Sequence, residues 1–304
     1  MGTLLDSIAM VHGRRGPHPP LALKLADGAA RDCLQRAGRK ATEIDLLVNA
    51  GLYRDRGISE PALAALIQED IGANLGDPPT GGHGTFSFDV DNGECGVLTA
   101  MHLAHGFLDS GSAELAMVVA SDSDSGGPLR SKVPVPQAGG ALLLRRDGAS
   151  TGFTKFAFST FPEFAGLYES YWEWQEGRRR GLLRRREGLN VLVVKEDPEF
   201  VARSVDCAAT AVDRFLEDAG LAAGDVDLLI ANRFPEFPEG LAERTGISKE
   251  RLVGADEGLR NAHTAGVIAA LDAAASSGRL AAARNALVVC AAAGITIGIA
   301  LYRR

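Results

Sequence analysis

Six arginines crowd into nine residues, Arg178-Arg179-Arg180-Gly181-Leu182-Leu183-Arg184-Arg185-Arg186. Guanidinium groups at that density suit phosphates or an acidic protein surface; the plainer alternative is a solvated helical face. The cysteines are informative mostly by what they lack. Cys33, Cys95, Cys207 and Cys290 lie far apart, with no Cys-x-x-Cys pair and no histidine at zinc-finger spacing, so neither a disulfide framework nor a metal site is expected. Cys33, Cys207 and Cys290 sit inside apolar patterns and read as core residues. Cys95 stands apart, beside Glu94 at the head of an apolar helical pattern. An acidic residue there can cap the helix or act as a base at the positive end of its dipole. His263 lies just inside a second such pattern and reads as an acid or base within reach of a site, or as a structural histidine. His83, His102 and His105 have no partners at motif spacing, and neither Gly81-Gly82-His83-Gly84 nor Ser125-Gly126-Gly127 matches a phosphate loop or dinucleotide fingerprint.

The elements that must position these residues are written twice. Ala29-Ala30-Arg31-Asp32-Cys33-Leu34-Gln35-Arg36-Ala37-Gly38, a polar turn and Ile44-Asp45-Leu46-Leu47-Val48 are matched without a gap by residues 211–220 and Val226-Asp227-Leu228-Leu229-Ile230. Each unit predicts an amphipathic helix stopped by glycine, a short turn and a strand covered on both faces. A second unit follows in each half. Residues 94–111 lead to the strand Leu115–Ala120, and residues 261–278 lead to the strand Ala286–Cys290. Helices alternating with fully apolar strands predict parallel sheets with helices on their faces, and a site where the halves meet and helix N-termini converge. Ala291–Leu301 reads as a tight turn feeding a last core strand. Residues from about 154 to 190, with Trp172 and Trp174, have no counterpart in the repeat and read as an inserted cap or connection.

Composition sets the outer bounds. A chain of 304 residues, 46% hydrophobic and 23% charged, is an ordinary globular protein able to bury a large core. A formal charge of −7 argues against a general nucleic-acid binder. The longest apolar runs fall far short of the roughly 20 residues that cross a bilayer. The beginning of the chain carries no secretory pattern, so a cytoplasmic protein without membrane contact is expected.

With these residues in view, the pattern resembles the thiolase superfamily, in its β-ketoacyl-acyl-carrier-protein synthase III branch, over roughly residues 20–145 and 195–303. The resemblance rests on Phe88-Asp89-Val90 leading into the helix that ends at Ser110-Gly111, on Val226–Ile230 with its following loop, on Asn261-Ala262-His263-Thr264-Ala265, and on Ala293-Gly294-Ile295-Thr296-Ile297-Gly298-Ile299-Ala300-Leu301. It implies an α/β fold of duplicated α-β-α-β-α layers. The expected division is 1–152 for the first half, 153–190 for an inserted cap and 191–304 for the second half.

The resemblance also implies a Cys–His–Asn site, which this chain departs from. Ungapped, Glu94 falls on the nucleophile position and Asn232 on the histidine, while Asn261 falls on the asparagine. Cys95 becomes the nucleophile only with an insertion before it. Gly294 and His263 are the expected oxyanion or supporting residues. A Glu94 mixed anhydride would hydrolyse readily, so Glu94 is expected to work as a base while Asn232 and Asn261 donate to an oxyanion, or to mark a site that no longer turns over. The substrates implied are acyl-CoA or acyl-carrier-protein thioesters, with no other cofactor and no metal. Arg178, Arg179, Arg180, Arg184, Arg185 and Arg186 are the docking candidates for the carrier or for CoA. Three readings follow: an atypical acyltransferase in specialised or fatty-acid-type metabolism, a covalent acyltransferase using Cys95, or a silent subunit paired with an active synthase. The assembly expected is a homodimer or a heterodimer with a related synthase.

Overall fold

Two aspartates do the same work in the two halves. The carboxylate of Asp45 accepts the backbone N–H groups of Glu114 and Leu115, and that of Asp227 accepts those of Arg284 and Asn285. Each thereby ties the start of one parallel strand to the start of its neighbour. In the computed structural model, which describes residues 2–13, 21–55, 58–76, 84–122, 137–175, 189–231, 236–259 and 261–304, such paired details recur throughout.

The first half runs β1 (Gly2–His12), α1 (Ala22–Ala37), β2 (Leu46–Asn49), α2 (Leu63–Ile71), β3 (Phe86–Asp89), α3 (Gly96–Asp109), β4 (Leu115–Asp122) and β5 (Ala138–Asp147). Then come β6 (Gly152–Thr160), β7 (Tyr168–Gln175), β8 (Leu189–Glu196), α4 (Phe200–Ala219), β9 (Leu228–Ala231), α5 (Glu236–Thr245), β10 (Leu252–Val253), α6 (Gly266–Ser276), α7 (Arg279–Ala282), β11 (Asn285–Ala292) and β12 (Thr296–Arg303). The equivalent helices α1 and α4 end on Gly38 and Gly220 at φ 64° and 65°, a left-handed conformation in which glycine carries no Cβ penalty.

Ten strands join in the order β10-β9-β11-β12-β6-β1-β5-β4-β2-β3. This is two five-stranded wings, each with its strands in equivalent order, meeting where Thr3 of β1 pairs with Phe153 of β6. Strand alternation sorts the core into three layers. In β4, Ala116, Val118 and Ala120 face a central cluster built on α3 and α6, while Leu115, Met117 and Val119 face α1 and α2. In β11, Val288 and Cys290 face the same central cluster, while Leu287 and Val289 face α4 and α5. The helix–sheet–helix–sheet–helix order is therefore the expected one, and the continuous apolar strands follow from having both faces covered.

Residues 153–160, read above as the start of a connection, lie with Gly152 in β6, which pairs with β12 from Gly152↔Arg303 to Thr160↔Thr296. The second half thus begins with its own equivalent of β1; the two strands share position in the sheet but not residue pattern. Among the described residues, β7, β8 and the short α7 have no counterpart in the first half; β7 and β8 pair with each other in a separate two-stranded sheet. The arginine run falls between these strands, outside the described residues.

An unfavourable charge sits between α1 and α2. Asp27 is 1% exposed and lies near Asp70, with Lys24 Nζ 3.6 Å from Asp27 and 3.7 Å from Asp70. Burial, followed by the carboxyl of Asp70, pushes the Asp27 carboxyl up to about 7. A carboxyl raised in the folded state makes stability fall as pH climbs from its unfolded value near 4 to its folded value, and the loss persists above that. Asp27→Asn should therefore stabilise the protein at pH 8 by roughly 2 kcal/mol and have little effect at pH 4, read from urea midpoints at the two pH values. Equal shifts at both would contradict the burial of a charge at this position.

Candidate active site at the junction of the halves

Each central helix is entered through a short tight turn: Gly93–Cys95 before α3 and His263–Ala265 before α6. The turns occupy the same step of the repeat and touch each other. Both start in the left-handed region, Gly93 at φ 50° and His263 at φ 45°. Glycine suits the first, since a Cβ there would lie 3.3 Å from that of Ala292. Histidine in the second is uncommon and costs on the order of 1 kcal/mol, so its surroundings must hold it there.

They do so through Asp122, the last residue of β4, which is 1% exposed. One carboxylate oxygen accepts from His263 Nδ1 at 3.0 Å, from the Thr264 N–H at 3.0 Å and from the Thr264 hydroxyl. The other accepts the N–H groups of Leu52 at 3.1 Å and Tyr53 at 2.7 Å. Burial alone would push this carboxyl up. The charge of His263 and the hydrogen bonds from His263, Thr264 and Tyr53 outweigh it and hold Asp122 below the usual carboxylate range. Asp122 is thus a buried anion that joins a strand of the first half to a helix entrance of the second.

Tyr53 closes the other side. Its ring stacks on His263 with centroids 4.4 Å apart and planes 11° apart. The loop bearing it passes so close to β4 that a Cβ on Gly51 would fall 2.4 Å from the Ser121 carbonyl oxygen. Buried Asn49 accepts the Gly51 N–H and donates to Asp89, which also caps α2 and pairs with Arg54 at 3.0 Å. The Tyr53 hydroxyl lies 3.5 Å from that of Tyr168 at the base of β7, tying the hairpin to the site. Burial, foremost, raises the Tyr53 phenol, and the charges of Asp122 and Glu94 add to the rise.

Glu94 sits half-buried in the turn before α3, near enough for its charge to act on Tyr53 and on Cys290. Cys95 points the other way. It is fully buried, with Sγ 3.2 Å from Cys290 Sγ and 3.3 Å from the Thr296 carbonyl oxygen. Burial, and then Cys95 itself, pushes the Cys290 thiol far up. Cys95 thus lies within the packed core beside the turn. Gly294 holds the β11–β12 turn at φ 107°, a conformation that needs glycine. Asn261 is exposed, and the side chain that the second turn brings to the junction is His263, two residues on. Asn232 and the six arginines lie outside the described residues.

Asp122 and Tyr53 were not among the sequence candidates. The signal for Asp122 was an acidic residue closing an otherwise apolar parallel strand, at the strand end where α/β sites form. Tyr53 carried none. A cavity of about 750 Å³ lined by Arg39, Glu43, Asp45, Arg145 and Arg146 lies at the other end of β2 and β4, where Asp45 fixes the strand starts, and is separate from this site. Among the described residues no cluster suits a metal ion, and no helix is long and apolar enough to cross a membrane.

Residues 216–304 match the family described as 3-oxoacyl-[acyl-carrier-protein] synthase III, C-terminal. The chain is 28% identical over 286 residues to β-ketoacyl-[acyl-carrier-protein] synthase III of Thiobacillus denitrificans, covering 92% of this chain and 83% of that one. Its fold superposes on the Aquifex aeolicus 3-oxoacyl-[acyl-carrier-protein] synthase III at TM-score 0.78 and 19% identity, covering 100% of both chains. It also superposes on Xanthomonas campestris OleA, solved with bound lauric acid and lauroyl-CoA, at TM-score 0.76 and 16% identity over 100% of this chain and 99% of that one. The class is thus the thiolase fold. Within it, the chain is similar to 3-oxoacyl-[acyl-carrier-protein] synthases III.

Replacing Asp122 with alanine strands the N–H groups of Leu52, Tyr53 and Thr264, and should cost about 3–5 kcal/mol in urea unfolding. Because the Asp122 carboxyl is lowered on folding, its contribution is present above the unfolded value and lost as pH falls through the folded one. The gap between wild type and Asp122→Ala should therefore hold from pH 7 to roughly pH 4 and narrow only below that. An unchanged urea midpoint would contradict the bridging role.

Proposed function

We propose that this protein transfers acyl groups from CoA or acyl-carrier-protein thioesters at the junction of its halves, without forming an acyl-cysteine. The observation that carries this is the opposition of two turns: one presents Glu94, the other presents His263 held by a buried carboxylate, and the nearby Cys95 thiol is turned into the core. Glu94 acts as an anionic hydrogen-bond acceptor or base toward the incoming acceptor, not as a nucleophile. Asn232, which follows β9 in the sequence and lies outside the described residues, is the candidate for an additional oxyanion donor. The thioester is the only organic carrier the reaction needs. Arg178–Arg180 and Arg184–Arg186 are proposed to receive the acidic carrier or the CoA phosphates, on charge alone.

The protein is proposed to act in the cytoplasm, in specialised or fatty-acid-type metabolism, as a dimer. Support for the dimer comes from edge strand β3, where Phe86 is 57% exposed and extends an aromatic group with Phe88 and Phe107. The burial of Cys95 also favours a second reading, a silent subunit that pairs with a cysteine-bearing synthase. In that case the isolated chain would be inert and would co-purify with the second synthase.

Glu94→Gln keeps the shape of the side chain and removes its charge. Release of free thiol from acyl-CoA, followed with a thiol reagent, should fall by about 10²-fold or more. A rate equal to wild type would exclude Glu94 from the chemistry.

A further inference from the structure

We infer that the first half carries a second binding site, away from the junction, that takes a phosphate dianion, either free or as the monoester of a small metabolite. The site is the cavity of about 750 Å³ at the starts of β2 and β4, lined by Arg39, Glu43, Asp45, Glu114, Arg145 and Arg146. A space of that volume has room for a small organic ligand. Its chemistry is independent of the acyl transfer proposed at the junction.

The duplication supplies an internal comparison. Arg145 and Arg303 hold equivalent places, opposite Leu115 at the start of β4 and Asn285 at the start of β11. The residues that follow are again both arginine, and the backbone N–H groups of Arg146 and Arg304 donate to the carbonyls of Glu114 and Arg284. In the second half these guanidiniums are used within the chain: Arg303 donates to the Ala219 carbonyl at the end of α4, and Arg304 donates to the Ala281 carbonyl in α7. The first half differs on both counts. Residues 110–114 join α3 to β4 without an equivalent of α7, and Arg145 turns to Asp6 instead of to a helix end.

Asp6 sets the direction of two guanidiniums at once. It accepts from Arg145 Nε at 2.9 Å and lies 3.6 Å from Arg39 Nε, so both side chains are fixed by their inner nitrogens. Arg39 also donates from Nη1 to Glu43 at 3.0 Å. Among the described residues, Nη2 of Arg39 and both Nη groups of Arg145 meet no acceptor, and both residues line the cavity. The neighbouring carboxylates are already engaged: Glu43 also accepts the Lys40 N–H at 2.7 Å, and Asp45 accepts those of Glu114 and Leu115. What the site still offers is N–H donors in the planar fork that matches phosphate oxygens.

The test is calorimetric titration of the full-length protein with inorganic phosphate and with glucose 6-phosphate, at constant ionic strength. Saturable binding of one phosphate per chain is expected. Arg145→Ala should weaken it about tenfold or more, and Arg145→Lys, which keeps a charge beside Asp6 but not the fork, should also weaken it and serves if the alanine variant does not fold. Glu114→Gln, which removes a negative charge from the lining, should tighten it. Tighter binding of glucose 6-phosphate than of phosphate would assign the site to a metabolite ester, and equal binding would assign it to free phosphate. Absence of saturable binding, an affinity unchanged in both Arg145 variants, or displacement of the phosphate by octanoyl-CoA would overturn the inference. Failure of octanoyl-CoA itself to bind would count against the acyl-transfer reading alone.

Discussion

A carboxylate with almost no exposure must be matched by donors on every side, and here those donors come from two separate places. Asp122 ends a central strand of the first half, accepts two N–H groups from the loop after β2, and accepts three further hydrogen bonds from the entrance to α6 in the second half. Ionising so deep a group is unfavourable unless its partners are fixed beforehand. The position of the Tyr53 loop, the left-handed turn at His263 and the contact between the two central helix entrances all serve that one anion. Gly51 and the Asn49–Asp89–Arg54 network, which hold the loop in place, belong to the same requirement.

The duplication explains how such a junction arises. Two copies of one α/β unit bring two equivalent helix entrances to one place, each beginning with a left-handed residue. The copies have then diverged in what they present. The first keeps glycine at the turn and offers a carboxylate at Glu94. The second puts an imidazole where glycine would be the easier choice and uses Thr264 to grip Asp122. Strain accepted at one position and offset by an anion from the other half is the kind of feature that concentrates at functional sites.

Much of this was legible in the sequence, and the reasons for the rest are physical. Helices α1 and α4 and their strands were visible because glycine stops and double-sided apolar runs are local signals. The meeting of the central helices followed from the repeat. Strand β6 was not visible, because its partners β12 and β1 are set by topology and its residue pattern does not match that of β1. At the site, Glu94 lies in the turn before α3 and His263 in the turn before α6, while Asn261 is exposed. Counting along the chain fixes which residues share a turn, but the direction of a side chain depends on the φ of the turn, here the left-handed value at His263. Asp122 owes its importance entirely to groups distant in sequence, so a single strand pattern could mark it only as an oddity.

The proposed acyl transfer leaves no acyl group on the protein. Its most direct test is the intact mass of the native protein after incubation with a series of acyl-CoAs and rapid acid quenching. An unmodified mass, with acyl-CoA consumed, is the predicted result. A stoichiometric acyl adduct mapping to Cys95 would contradict it, because the thiol would then have to leave the core and reach the substrate.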